Sequence, residues 1–268
     1  VGAKAGSAVA LNPQNGEIIA LANLPSYDNN SFITGLTEQD RTQFFQSPER
    51  PLLFRAISGI YPSGSTIKPL IAVAALAEGV ITPKTTILST GGIRIGASFF
   101  PDWKAGGHGA VDVKRAIAES VNTFFYTVGG GYEKFKGLGV EKLDSYMTLF
   151  GLGEKTGIDL PGEAAGLVPD PSWKRTVKKE KWYIGDTYHL SIGQGDLLTT
   201  PLQMASVTAA IANGGTIFQP HLVKGYLDQR TNNIIEIKPK KEPEKLSIAA
   251  SAFDTVRQGM RQTVLSGS

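Results

Sequence analysis

Apolar residues along this chain fall into short runs, and the spacing within each run predicts an element. Ser7-Ala8-Val9-Ala10-Leu11 and Glu17-Ile18-Ile19-Ala20-Leu21 flank Asn12-Pro13-Gln14-Asn15-Gly16. The Asn-Gly supplies the positive φ of a tight turn, so the segment predicts a hairpin. Both strands are apolar at nearly every position, which predicts a sheet covered on both faces. Polar, turn-rich sequence follows from Pro25 to Arg50. An alanine-rich apolar run from Ser65 to Ala77 then predicts a core helix ending near Gly79. Pro69 is tolerated only in a first turn, which limits how far upstream that helix begins.

The glycine-rich segments Gly91–Gly96 and Gly106–Gly109 predict an irregular connection. Asp112 is placed to cap a helix over Val113–Val121, and Thr123–Val128 continues apolar to Gly129-Gly130-Gly131. Val140–Phe150 predicts a shorter amphipathic helix. Thr200-Pro201-Leu202-Gln203 is a helix opening, with a threonine cap, proline at the first position and glutamine at the third. That helix runs to Asn213 and stops at Gly214-Gly215. Strand-like segments at Thr216–Val223 and Asn233–Ile237 precede a helix from Ser251 to Val264. Strands, then many helices, then strands predict an α+β fold with helices packed on an antiparallel sheet. No repeat or low-complexity tract interrupts it.

Composition adds little to this picture. The 268 residues suit one large domain or two small ones, with 41% hydrophobic and 19% charged residues and a net charge of +3. The main local excess of basic residues, Lys174, Arg175, Lys178, Lys179 and Lys181, predicts a solvated loop rather than a nucleic-acid surface. There is no cysteine, which removes disulfides, thiolate metal sites and cysteine nucleophiles together. No stretch reaches the roughly 18 apolar residues that span a bilayer. The longest candidate, Leu70–Ile81, carries Glu78 and predicts a buried helix. No signal peptide opens the chain, so any membrane anchor is expected upstream of Val1.

Candidate chemistry centres on Ser65-Thr66-Ile67-Lys68. Serine and lysine at i and i+3 share one helix face, within side-chain reach. A serine hydroxyl needs a base, and lysine serves only when neutral. Neutrality near pH 7 costs roughly 4 kcal/mol, which a dry pocket and a nearby helix N-terminus can impose. Ser65 at the helix start also offers a backbone N–H to a developing oxyanion. By itself the pair is weak evidence, since on the order of one Ser-x-x-Lys arises by chance in a chain this long. The apolar helix behind it is what argues for a buried Lys68. Ser120-Val121-Asn122 is the second candidate: the serine can relay a proton, and the asparagine amide can hold a lysine and a substrate carbonyl.

Together these residues carry a resemblance. Tyr61-Pro62-Ser63-Gly64-Ser65-Thr66-Ile67-Lys68-Pro69 resembles the nucleophile segment of the class B penicillin-binding proteins, and Ser120-Val121-Asn122-Thr123-Phe124-Phe125-Tyr126 resembles their second motif. The likeness continues through Phe150-Gly151-Leu152-Gly153, Asp159-Leu160-Pro161-Gly162, Ser191-Ile192-Gly193-Gln194-Gly195 and Thr200–Ala205. The hairpin at Ser7–Leu21 is similar to the start of such a transpeptidase domain. Trp182–Asp186 with Ser191–Gly195 is most like the penicillin-binding protein 2 branch, which serves cell elongation.

The resemblance implies a single transpeptidase domain over 1–268, an antiparallel sheet packed between helices with a helical subdomain, and a peptidoglycan stem peptide ending in D-Ala-D-Ala as substrate. It implies Ser65 as nucleophile, Lys68 as general base, Ser120 as proton relay and Asn122 as the residue orienting the acyl amide. β-Lactams would acylate Ser65. A membrane-embedded glycosyltransferase and elongation machinery are the implied partners, at the extracytoplasmic face of the membrane, and no cofactor is called for.

Two departures stand out. Lys155-Thr156-Gly157 has the composition of the family's third motif, yet its position in the connecting segment argues against that role. The true third motif is expected on a strand beyond the 251–264 helix, so the chain is expected to be incomplete at its C-terminus. Some elongation-type relatives hold zinc near the cleft through aspartates, a histidine and a cysteine. Asp102 and His108 match part of that set, but Val121 stands at the cysteine position, so no metal is expected and His108 is read as a loop hydrogen-bonder. Two other readings remain open: a serine β-lactamase or β-lactam sensor, disfavoured by the lack of a Glu-x-x-Leu-Asn, and an inert scaffold module.

Overall fold

The computed structural model describes residues 2–267. The fold is α+β. Strands β1 (Gly6–Leu11) and β2 (Ile18–Leu24) form the expected hairpin, with an irregularity between Ala10 and Leu11. Their faces are not equally covered: Ile19 is 71% exposed and Leu24 59%. Short helices α1 (Ser31–Thr34), α2 (Glu38–Arg41) and α3 (Arg55–Ser58) follow. Among the described residues, α3 and the later helix α10 (Pro201–Ala212) pack on the hairpin through Val9, Ile18 and Leu21, so the prediction of cover on both faces fails for this part of the sheet.

The nucleophile segment opens as a 3-10 turn, Gly64–Ile67, and continues as α4 (Lys68–Ala77), with Pro69 in its first turn. Ile67, Leu70, Ile71 and Val73 are fully buried, so α4 runs through the centre of the main core. The glycine-rich connection is more ordered than its sequence suggests. It holds β3 (Ile87–Ser89) paired with β6 (Gly109–Val111), and β4 (Gly92–Ile95) paired with β5 (Ser98–Pro101). Both ladders are antiparallel and at most four residues long.

Asp112 caps α5 (Val113–Ala118) as expected, accepting from the Arg115 N–H. The helix stops at Ala118, earlier than predicted, and α6 (Asn122–Gly130) starts after a three-residue break. α6 includes Gly129, where a Cβ would lie 1.8 Å from Ser191 Oγ; only glycine permits the approach of α9 (Ile184–Ser191). Between them come α7 (Val140–Leu149) and α8 (Pro171–Trp173). α10 (Pro201–Ala212) has the predicted capping box, the Gln203 N–H donating to Thr200 Oγ1 and the Thr200 N–H to Gln203 Oε1.

Strand pairing resumes at β7 (Thr216–Ile217), shorter than predicted. β8 (Gly225–Asp228) and β9 (Asn233–Glu236) form a hairpin, and β10 (Glu244–Lys245) pairs with β7. The last helix, α11 (Ala250–Ser266), packs along α5 and α4. Among the described residues the strands pair as five two-stranded antiparallel ladders. No helix there is long and apolar enough to cross a membrane.

Candidate active site

The segment leading to Ser65 is held by backbone pairing rather than by regular structure. Tyr61 and Thr199 exchange hydrogen bonds in both directions, at 2.9 and 2.8 Å, and the Gly64 N–H donates to Gly193 O at 2.8 Å. Gly193 adopts φ +73°, and a Cβ there would lie 2.1 Å from Gly64 O. The Ser191–Gly195 stretch therefore backs the nucleophile turn in direct contact. Ser65 itself is exposed, in the first turn of the helix, where backbone N–H groups lack intrahelical acceptors.

Lys68, one turn further on, is 1% exposed. Its Nζ donates to Ser120 O at 2.7 Å, Asn122 Oδ1 at 2.7 Å and Ser120 Oγ at 3.0 Å, and lies 5.5 Å from the centre of the Phe125 ring. Burial lowers its pKa to about 7, although the charge of Asp102 pulls in the opposite direction. Ser120 Oγ donates in turn to Ser65 Oγ at 2.9 Å. The four residues singled out from sequence are thus brought together. The route from Ser65 to Lys68 runs through the Ser120 hydroxyl, whereas the sequence suggested direct contact.

Ser120 owes this placement to its backbone. Its φ is +54°, in the left-handed region that glycine normally fills after a helix. The chain reverses there, so the Ser120 carbonyl and hydroxyl both face Lys68. Ser120 therefore sits at a junction between helices and not within the end of one, as the sequence had placed it.

Sequence reasoning underrated Asp102. Its carboxylate, 0% exposed, accepts from the backbone N–H groups of Trp103, Asn122 and Thr123, each at 3.0 Å, and from the hydroxyls of Thr123 at 2.8 Å and Ser89 at 3.1 Å. Burial pushes its pKa up, but the bonds from Thr123, Asn122 and Trp103 outweigh that and hold it below the usual range. His108 Nδ1 is 2.8 Å from Glu119 Oε2, while its Nε2 is buried without a partner, 3.7 Å from Asp102 Oδ1. This set does not fit a zinc ion. Both Asp102 oxygens are taken by N–H and O–H donors, Val121 is fully buried at the cysteine position, and no group of three His, Cys, Asp or Glu suited to a metal occurs among the described residues.

Of two other sequence features, the first is as expected and the second departs at one residue. Lys155-Thr156-Gly157 lies in irregular chain, not a strand: the Thr156 N–H and hydroxyl and the Gly157 N–H all donate to the Glu163 carboxylate. In the basic cluster, Lys174 is buried, with Nζ 2.7 Å from Asp186 Oδ2, so the expectation of a wholly solvated loop fails at that residue. The ion pair fastens a π-helical turn, Lys174–Lys178, to the start of α9. Beside Asn122 lies an open groove of about 640 Å³, whose walls include Phe99, Phe100, Trp103, Tyr126, Tyr183 and His189.

Comparison with known proteins identifies the family. Residues 6–268 match the penicillin binding protein transpeptidase domain. The peptidoglycan D,D-transpeptidase MrdA of Escherichia coli K12 is 40% identical over 254 residues, 94% of this chain and 39% of that protein. MrdA of Acinetobacter baumannii is 41% identical over 221 residues, covering 82% and 32% respectively. The chain therefore spans well under half the length of these curated relatives. The crystal structure of Pseudomonas aeruginosa PBP2 in complex with WCK 5153 superimposes with a TM-score of 0.86 at 35% identity, over 97% of this chain and 57% of that one. Helicobacter pylori PBP2, solved in complex with MreC, gives 0.84 at 33% identity, over 97% and 46%. With the serine, the buried lysine and the second motif in one cluster, and the match running nearly end to end, the chain belongs to the penicillin-binding protein transpeptidase family, in which it is similar to penicillin-binding protein 2.

Proposed function

We propose that this chain carries out the acylation chemistry of a peptidoglycan D,D-transpeptidase, with Ser65 as nucleophile. The observation that carries the reading is the continuous path from Ser65 Oγ through Ser120 Oγ to a buried Lys68 whose pKa is about 7. With Lys68 neutral, Ser65 gives its proton to Ser120 as Ser120 gives its own to Lys68, and Ser65 Oγ attacks the penultimate carbonyl of a D-Ala-D-Ala stem. The C–N bond breaks, and the departing D-alanine amine takes a proton back along the same path. An amine from a neighbouring stem then attacks the ester, closes the cross-link and frees Ser65. Asn122, bonded to Lys68 through Oδ1, directs one amide N–H to Pro101 O at 3.5 Å and has the other left to orient the acyl group. A β-lactam would follow the first half of this course and remain as an ester.

The similarity to MrdA proteins and to a PBP2 solved with MreC supports elongation machinery as partner and the extracytoplasmic face of the membrane as location. Intact-mass measurement after adding penicillin tests the reading. A stable adduct that disappears in Ser65→Ala is expected. Rapid turnover without an adduct would indicate a β-lactamase, no reaction would indicate an inert module, and labelling that survives the substitution would place the nucleophile elsewhere.

A further inference from the structure

Helix α6 begins with Val121 at its cap position, and no local side chain caps it. The cap comes from Asp102, twenty residues upstream at the end of the β4–β5 ladder. We propose that Asp102 is a positioning residue for acylation: its buried carboxylate fixes the start of α6, and with it Asn122 and the Ser120 junction, against Lys68. The inference rests on the acyl-transfer reading above.

The geometry supports it in three ways. Asp102 Oδ1 takes the Asn122 N–H and Oδ2 the Thr123 N–H, so one rigid group holds two of the first N–H groups of the helix. The remaining capacity of the carboxylate is filled by Ser89, Thr123 and Trp103, which fix its orientation from three sides. Asn122, held through its backbone by Asp102, holds Lys68 through its side chain.

Asp102→Asn is the direct test, because an amide keeps the shape but sets an NH2 against a backbone N–H that cannot reverse. Three measurements on the full chain are expected to move together. The Asn122 amide proton shifts upfield as its charged acceptor is lost. The Lys68 side-chain NMR titration midpoint falls, since the negative charge that favoured the ammonium is gone. Penicillin acylation at its high-pH plateau slows by about tenfold or more, as expected for a lost charge-assisted hydrogen bond. An unmoved Asn122 resonance and Lys68 midpoint, with acylation at the wild-type rate, would overturn the proposal. If that variant does not fold, Thr123→Val, which removes one donor and keeps the carboxylate, is expected to slow acylation a few-fold with the Lys68 midpoint unchanged; a wild-type rate there overturns it. A wild-type chain that penicillin does not label would refute the transpeptidase reading, and the two resonance measurements would still decide the role of Asp102.

Discussion

At the scale of single residues, the site depends on two side chains kept in conditions they would not choose. Lys68 surrenders its hydration, and the resulting low pKa means that the buried ammonium costs on the order of 5 kcal/mol below pH 7. Between about pH 7 and 10.5 the unfolded chain holds a proton on this lysine that the folded chain lacks, so folding stability from this group rises with pH across that window. Ser120 holds a left-handed backbone without being glycine, at a cost of about 1 kcal/mol. The two burdens are linked, because the strained junction is what aims the Ser120 carbonyl and hydroxyl at the lysine. Ser120→Gly separates them. It relieves the backbone but deletes the relay, so thermal stability should hold or rise while penicillin acylation falls by a hundredfold or so, the scale of a lost general-base step. Parallel melting and acylation assays check this, and an unslowed variant would remove Ser120 from the proton path.

At the scale of elements, the site is a meeting of four pieces: the 3-10 turn into α4, the α5–α6 junction, the Ser191–Gly195 turn after α9, and the Asp102 end of β5. Gly193→Ala should disturb the second contact surface of the nucleophile turn, since its Cβ would collide with Gly64 O and alanine disfavours φ +73°. Acylation is expected to fall at least about tenfold from misplacement of Ser65, together with a lower melting temperature. Gln203 does comparable work away from the chemistry: besides its part in the capping box, its Nε2 donates to Glu154 O and Ala165 O, each at 2.8 Å. Gln203→Leu leaves three backbone groups without partners, and a loss of about 3 kcal/mol, or roughly 6–12 °C in Tm, is expected from calorimetry.

The α10 cap was legible from Thr200-Pro201-Leu202-Gln203 because all its partners are local. The clustering of Ser65, Lys68, Ser120 and Asn122 was legible because two short motifs hold all four residues. The β3–β6 and β4–β5 ladders were hidden among glycines, their strands too short to show alternation. Helix α9 was missed because it has no Ser, Thr or Asn at its cap; the Tyr183 N–H is instead taken by Asp186. The roles of Asp102 and Lys174 depend on partners distant in sequence, Thr123 for one and Asp186 for the other, and no window of residues displays them.

At the scale of the whole molecule, the dryness of Lys68 is a collective property. One continuous core joins α4 with α6, α7, α9, α10 and α11, through Leu70, Phe124, Phe125, Leu143, Tyr188, Val207 and Phe253. A smaller cluster of Ala56, Ile57, Ile158 and Leu202 seats the α10 start against the hairpin side. The lysine is buried against this core at 1% exposure, whereas Ser65, one turn away, is open to solvent. The fold thus lowers the pKa of a residue that is ordinarily charged to about 7, the condition the proposed general-base role requires. The most direct test is the pH dependence of the rate at which penicillin forms its adduct on Ser65. The rate should rise with pH through a midpoint near 7 and then level off, falling about tenfold per pH unit on the acid side. A rate that is flat from pH 5.5 to 8.5, or a midpoint close to that of a free lysine, would contradict the account.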